Sequence, residues 1–116
     1  MADRKSIINP QIHVKNVHAE SASAGAAVTI TIPADAENFW AVGRVDWSWS
    51  ASNGGDITIS YNGTPVWKHH DATHGHGYAK FTFPDFLHNN YTLNEELTVT
   101  ISGVGSATGR LTVRYC

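Results

Sequence analysis

Four imidazoles and a carboxylate crowd one short stretch, His69-His70-Asp71-Ala72-Thr73-His74-Gly75-His76-Gly77. Nitrogen ligands of this kind suit Zn, Ni or Cu. In an extended segment His74 and His76 fall on the same side, the spacing that strand-built metal sites use. A cupin-type site also needs a Glu a few residues after the His-x-His pair, and Ala79-Lys80-Phe81 supplies none. Glycines flank the cluster, which predicts a loop, a poor frame for a fixed catalytic geometry. His69, His70, His74 and His76 are therefore candidate metal ligands in what reads as a solvated polar loop, and no cofactor is expected. His13, His18 and His88 stand isolated.

Nucleophilic chemistry finds less support. Serines are plentiful, but no Gly-x-Ser-x-Gly elbow occurs. Cys116 is the last residue of the chain and has no partner in the pattern. Glu95 and Glu96 follow Asn94 at a strand entrance, where capping or solvation accounts for them. The glycine-rich stretches Gly103-Val104-Gly105-Ser106 and Gly75-His76-Gly77 precede no helix, and a phosphate cradle needs a helix N-terminus. The chain reads as a non-enzyme. Its four tryptophans are the remaining chemical resource. Trp47 and Trp49 share the inward parity of their strand and belong to a core. Trp40 falls on the opposite parity, and a two-residue hairpin loop sets Trp67 against Thr58, away from Ile59 and Val66. Outward rings of this kind serve either a subunit interface or a sugar-stacking platform.

The elements that must carry these residues are strands. Val28-Thr29-Ile30-Thr31-Ile32, Leu97-Thr98-Val99-Thr100-Ile101 and Leu111-Thr112-Val113-Arg114-Tyr115 alternate apolar and polar residues. From Phe39 to Trp49 the odd positions are Phe39, Ala41, Gly43, Val45, Trp47 and Trp49, while Arg44, Asp46 and Ser48 point the other way. Such period-2 patterning describes strands with one face on a core. Asn62-Gly63 supplies the two positive φ angles of a type I′ hairpin, and Pro65 makes its strand an edge or a strand that starts there. Strands are predicted near 11–18, 27–32, 39–50, 56–61, 64–69, 78–83, 96–102 and 109–115. About eight short strands in 116 residues make an all-β, two-sheet antiparallel β-sandwich, jelly-roll-like rather than immunoglobulin-like.

Composition bounds the partners. Eight Lys+Arg against ten Asp+Glu leave a net charge of −2, and only 16% of residues are charged. A nucleic-acid partner is not expected, because binding needs a basic face. No apolar run approaches the roughly 18 residues of a membrane span, so no membrane partner is expected either. The start lacks the apolar stretch of a secretory signal, which predicts synthesis in the cytoplasm. A single cysteine, Cys116, allows a disulfide only between chains. Residues 1–10, with charged Asp3, Arg4 and Lys5 and the apolar pair Ile7-Ile8, read as a flexible N-terminal arm that orders on a partner. Residues 11–116 read as a single β-sandwich domain.

Four blocks then resemble a known group. They are Trp40-Ala-Val-Gly-Arg-Val-Asp-Trp-Ser-Trp-Ser50, Gly55-Asp-Ile-Thr-Ile-Ser-Tyr61, Phe81-Thr-Phe-Pro-Asp-Phe-Leu87 and the closing run Asn94–Val113, with Leu-Thr-Val-Thr-Ile-Ser-Gly-Val-Gly-Ser-Ala-Thr-Gly-Arg-Leu-Thr-Val at its heart. In content and order they are similar to the small β-sandwich virion structural proteins, of decoration or fibre type, of tailed bacteriophages. The likeness covers about residues 38–115; the histidine-rich loop and the strand at 11–18 lie outside the pattern. It implies a place in the virion as a capsid decoration (cement) protein that stabilises the head by binding major capsid subunits. A tail or head-fibre component is the alternative, and in either case the protein is commonly a homotrimer. The physics of the strands agrees, since their outward positions carry Thr and Ser where a free monomer would carry Lys and Glu. Ile7, Ile8, Trp40 and Trp67 are the expected interface residues. A lectin-like module binding a glycan through Trp40 or Trp67 is the second expectation.

Overall fold

The alternating stretches form eight strands: β1 (Lys15–Glu20), β2 (Val28–Ile32), β3 (Val42–Trp49), β4 (Asp56–Tyr61), β5 (Thr64–His70), β6 (His76–Lys80), β7 (Leu97–Ile101) and β8 (Gly109–Tyr115). The computed structural model describes residues 14–51, 53–71, 75–82 and 86–116. The arm with Ile7 and Ile8, and also His13 and His74, lie outside the described residues.

The turn at Asn62-Gly63 sits near the middle of the chain, with φ of 50° and 83° at its two central residues. Asn tolerates and Gly freely adopts this left-handed conformation, so the chain reverses there without strain. Folding back about this point pairs β4 with β5, β3 with β6, β2 with β7 and β1 with β8, all antiparallel. Two further pairings, β3 with β8 and β4 with β7, collect the strands into sheets of order β1-β8-β3-β6 and β2-β7-β4-β5. That is the jelly-roll arrangement of a β-sandwich. Pro65 lies in β5, which is a sheet edge as its missing N–H requires.

The core is the seam between the sheets. Ile57, Ile59, Leu97, Val99 and Ile101 of one sheet meet Val42, Val45, Leu111 and Val113 of the other, all fully buried. Each such side chain contributes roughly 1.5–3 kcal/mol relative to exposure. Trp47 and Trp49 are buried with them, and Arg44 and Asp46 point out and bond to each other. The expected polarity of β3 therefore holds from Val45 to Trp49.

Four details depart from the sequence expectation. A bulge between Val42 and Arg44 adds one residue, so Val42 and Val45 both face the core and the odd-residue pattern stops at Gly43. A second bulge in β5 pairs Ser60 with Pro65 but Ile59 with Trp67, leaving Val66 as the extra residue. Trp67 thus lies across from Ile59 and not from Thr58, on the inner side of its sheet. β1 runs on to Glu20, because Val17 and Ala19 pair with Val113 and Leu111 and pack on the core. β6 starts at His76, earlier than expected, because Gly77 lies under the Trp47 ring. A Cβ there would come within 2.9 Å of that ring, so the glycine is a packing residue and not a loop residue.

Candidate functional site

The histidine-rich stretch is dispersed by the fold. His69 pairs with Ile57 on the inner side of β5, where its ring stacks on Trp67 at 6.0 Å and leans on Trp47 at 5.6 Å. His70, one residue on, points the other way and bonds to the Asp56 carboxylate. His76 belongs to the opposite sheet, paired with Ser48. Asp71 is buried and accepts a 2.9 Å hydrogen bond from the Trp47 indole N–H. The carboxylate of the cluster therefore holds a core tryptophan in place. Among the described residues no group of three or more His, Cys, Asp or Glu converges to hold a metal ion.

The two tryptophans that the sequence pattern turns outward are half-buried, and both pack against the core. Trp40 packs on the core beside Tyr115, edge to face at 5.6 Å, and its indole donates to the Pro33 carbonyl at 3.1 Å. Trp67 packs on the core with Phe81 edge-on at 5.5 Å. Neither ring stands free as a platform. Among the described residues the exposed tyrosine rings are Tyr78, at 60%, and Tyr91, at 59%.

Each sheet has one outer face, and the two are chemically unlike. Across β2-β7-β4-β5 one register row reads Thr29, Thr100, Thr58, Lys68 and the next reads Thr31, Thr98, Ser60, Pro65. Six hydroxyls thus cover three strands, with Asp56 of β4 the one charged group beside them, and Thr29 and Thr100 bond to each other at 3.1 Å.

Across β1-β8-β3-β6 the rows read Asn16, Arg114, Arg44, Lys80, then His18, Thr112, Asp46, Tyr78, then Glu20, Arg110, Ser48, His76. The Arg44 guanidinium bonds both Asp46 oxygens at 3.1 Å and covers the Tyr78 ring at 4.3 Å. Two adjoining depressions lie on this face. One, of about 220 Å³, is lined by His18, Asp46, Trp47, Ser48, Arg110 and Thr112. The other, of about 290 Å³, shares Ser48 and Arg110 with it.

His18, isolated in the sequence, is the centre of a chain of bonds there. Its Nδ1 lies 3.0 Å from Thr112 Oγ1 and its Nε2 lies 3.1 Å from Glu20 Oε2. The bond from His18 first, and the Arg110 charge second, hold the Glu20 carboxyl below its usual range. A hydroxyl, an imidazole and a carboxylate in series are the parts of a nucleophile relay. Here they lie on an open strand face, and β8 is paired on both sides, so its backbone N–H groups are engaged in the ladders. No preorganised oxyanion site accompanies them on that strand. The set presents a hydroxyl, an imidazole and a carboxylate, already bonded to one another, on the outer face of the sheet. Only the register of β1 against β8 brings His18 to Thr112.

No protein-family model matches the chain, and no curated protein matches it in sequence. Solved structures do match in fold. The CBM36-1 domain of a multidomain xylanase from the hindgut metagenome of Trinervitermes trinervoides aligns over 83% of this chain and 73% of that one, with 7% identity and a TM-score of 0.50. A carbohydrate-binding module CBM36 in complex with calcium and xylotriose aligns over 89% and 86%, with 8% identity and a TM-score of 0.48. The Tobacco streak virus coat protein aligns over 88% and 83%, with 11% identity and a TM-score of 0.38. At such identities the likeness is one of architecture, and the architecture shared is the β-sandwich jelly roll.

Proposed function

We propose that the chain is a non-enzymatic structural protein of a bacteriophage particle, a decoration protein that works by adhesion and assembles as a homotrimer. The observation that carries this reading is the hydroxyl-rich face of β2-β7-β4, whose one charged group, Asp56, lies at its margin and is bonded to His70. Thr29, Thr31, Thr58, Ser60, Thr98 and Thr100 occupy positions where a free-standing sheet would present Lys or Glu. Short hydroxyl side chains lose little rotamer freedom on burial, and they carry no charge to desolvate. Such a face packs against a second protein surface at low cost, whether a copy of this chain or a capsid subunit. The order of the residue blocks in 38–115, similar to phage virion proteins, supports the same role.

The test is sedimentation at micromolar concentration, with wild type and a Thr58→Lys/Thr100→Lys variant. The expected wild-type mass is three times the 12.6 kDa chain. The variant is expected to sediment as a monomer with its far-UV circular dichroism unchanged. A wild type that sediments at the chain mass, or a variant that stays trimeric, overturns the assignment of this face.

A further inference from the structure

The opposite face carries a feature that a merely solvated sheet would avoid. Arg44 pairs directly with Arg114 on one side and with Lys80 on the other, so three cations stand in one row across β8, β3 and β6. Neighbouring strands lie about 4.8 Å apart, which puts the row at roughly 10 Å end to end. Like charges directly opposite each other weaken a sheet. Little in the fold relieves them. Asp46 is already engaged by Arg44, and Arg114 has the neutral Asn16 oxygen at 3.3 Å. No ion pair holds Lys80 among the described residues. Of the six described Lys and Arg residues, four lie on this face, Arg44, Lys80, Arg110 and Arg114, against the two carboxylates Asp46 and Glu20. Half of the eight Lys and Arg residues of a chain of net charge −2 thus stand on one outer face.

Next to the cation row stands the exposed ring of Tyr78, covered on one side by Arg44. Beyond it, in the same register row as Tyr78, come Asp46, Thr112 and His18, with Ser48 and Arg110 lining the adjoining depressions. Cations, one aromatic ring and a row of hydroxyl and carboxylate groups are three different recognition chemistries side by side.

We propose that the outer face of β1-β8-β3-β6 binds an acidic oligosaccharide, one bearing carboxylate or sulfate groups. The anionic substituent sits on Arg114, Arg44 and Lys80, a sugar ring stacks on Tyr78, and sugar hydroxyls bond to Asp46, Thr112 and Ser48. Charge complementarity and hydroxyl chemistry together set the ligand class. A neutral glycan leaves the cation row unanswered, and a DNA backbone offers no free sugar hydroxyls to Asp46, Thr112 and Ser48. This inference does not rest on the proposed function, which uses the other sheet.

The test is calorimetric titration of the whole protein with oligogalacturonate and a heparin-derived tetrasaccharide, against xylotriose and single-stranded DNA of similar length, with amide NMR shifts to map the site. Binding of at least one acidic oligosaccharide is expected, weakening as salt rises and shifting residues of β8, β3 and β6. Xylotriose is expected not to bind. Lys80→Gln/Arg114→Gln should lower affinity at least tenfold, and Tyr78→Ala should lower it severalfold without altering the salt dependence. All three residues are exposed, so an unchanged thermal transition verifies the fold of each variant. The proposal is overturned if neither acidic sugar binds, or if xylotriose or DNA binds as well as they do. Indifference of affinity to Tyr78→Ala, or shifts confined to the other sheet, overturns it equally.

Discussion

The two outer faces of the sandwich come from the same fold and the same period-2 alternation, yet they differ in almost every other respect. The β2-β7-β4 face shows six hydroxyls and a single charged group, Asp56 at its margin, whereas the β1-β8-β3-β6 face shows four cations, two carboxylates, two imidazoles and an exposed tyrosine. The core requires only that alternate residues point inward. It is indifferent to what points outward, so the outward positions are free to record what each face meets. A hydroxyl carpet is suited to a flat, dry contact with protein. A mixed polar row with a ring is suited to a hydroxylated, charged ligand. One topology thus holds two chemically distinct surfaces back to back, each free to vary without disturbing the other.

The largest effect that could break this comparison is at Trp47, because inside and outside depend on the register of β3. The residue is buried, is hydrogen-bonded to buried Asp71 and lies against Gly77. Trp47→Ala should cost roughly 3–5 kcal/mol, a large share of the 5–15 kcal/mol typical of a domain, and chemical denaturation will measure it. Ser48→Ala, on the outer face, should be close to neutral. A tolerated Trp47→Ala with a collapsing Ser48→Ala would exchange the two sides of the sheet.

Alkaline titration sharpens the boundary of the core. Burial pushes the phenols of Tyr61 and Tyr115 upward, and Tyr61 also donates to the Trp40 carbonyl at 2.8 Å. A phenol whose folded value is raised stabilises the fold below its unfolded value of about 10, and that stabilisation is lost as pH rises above it. Ultraviolet tyrosinate absorbance should therefore show these two residues ionising together with unfolding. Their ionisation in a fully folded protein would place them outside the core.

On the charged face Asp46→Asn removes the carboxylate that Arg44 grips and leaves the three-cation row unrelieved. Both side chains are partly exposed, at 34% and 43%, so the loss should be at most about 1 kcal/mol at low ionic strength. It should shrink further in salt, as thermal melts at two salt concentrations will show. A loss of several kcal/mol, or one insensitive to salt, contradicts the view of this face as solvated and ligand-directed. The smallest effect is expected at the histidines. Replacing His69, His70, His74 and His76 together by Gln should change stability by less than about 1 kcal/mol. A larger loss, or stoichiometric zinc in protein purified without a nickel column, contradicts a purely polar role.

How far the sequence speaks depends on the range of the physics involved. Alternation is local, so the inward faces of Val28–Ile32, Leu97–Ile101 and Leu111–Tyr115 were legible, as was the Asn62-Gly63 turn. The bulges at Gly43 and Val66 were not, since each is set by pairing with another strand, and the second one moved Trp67 inward. The hydroxyl face was legible strand by strand as Thr-x-Thr. The charged face was not, because Arg44, Lys80 and Arg114 become a row only when β3, β6 and β8 are laid side by side. His18 and Thr112 are separated by 94 positions in the chain. Conversely, the histidine cluster was conspicuous in sequence because its members are neighbours there, and strand alternation is what separates His69 from His70.

The two-face account is tested most directly by threonine methyl NMR with a soluble paramagnetic agent, at concentrations where the protein is assembled. The account predicts that the methyls of Thr29, Thr58, Thr98 and Thr100 are shielded from the agent while that of Thr112, on the other sheet, remains accessible. Equal accessibility of all five, or shielding of Thr112 alone, would contradict it.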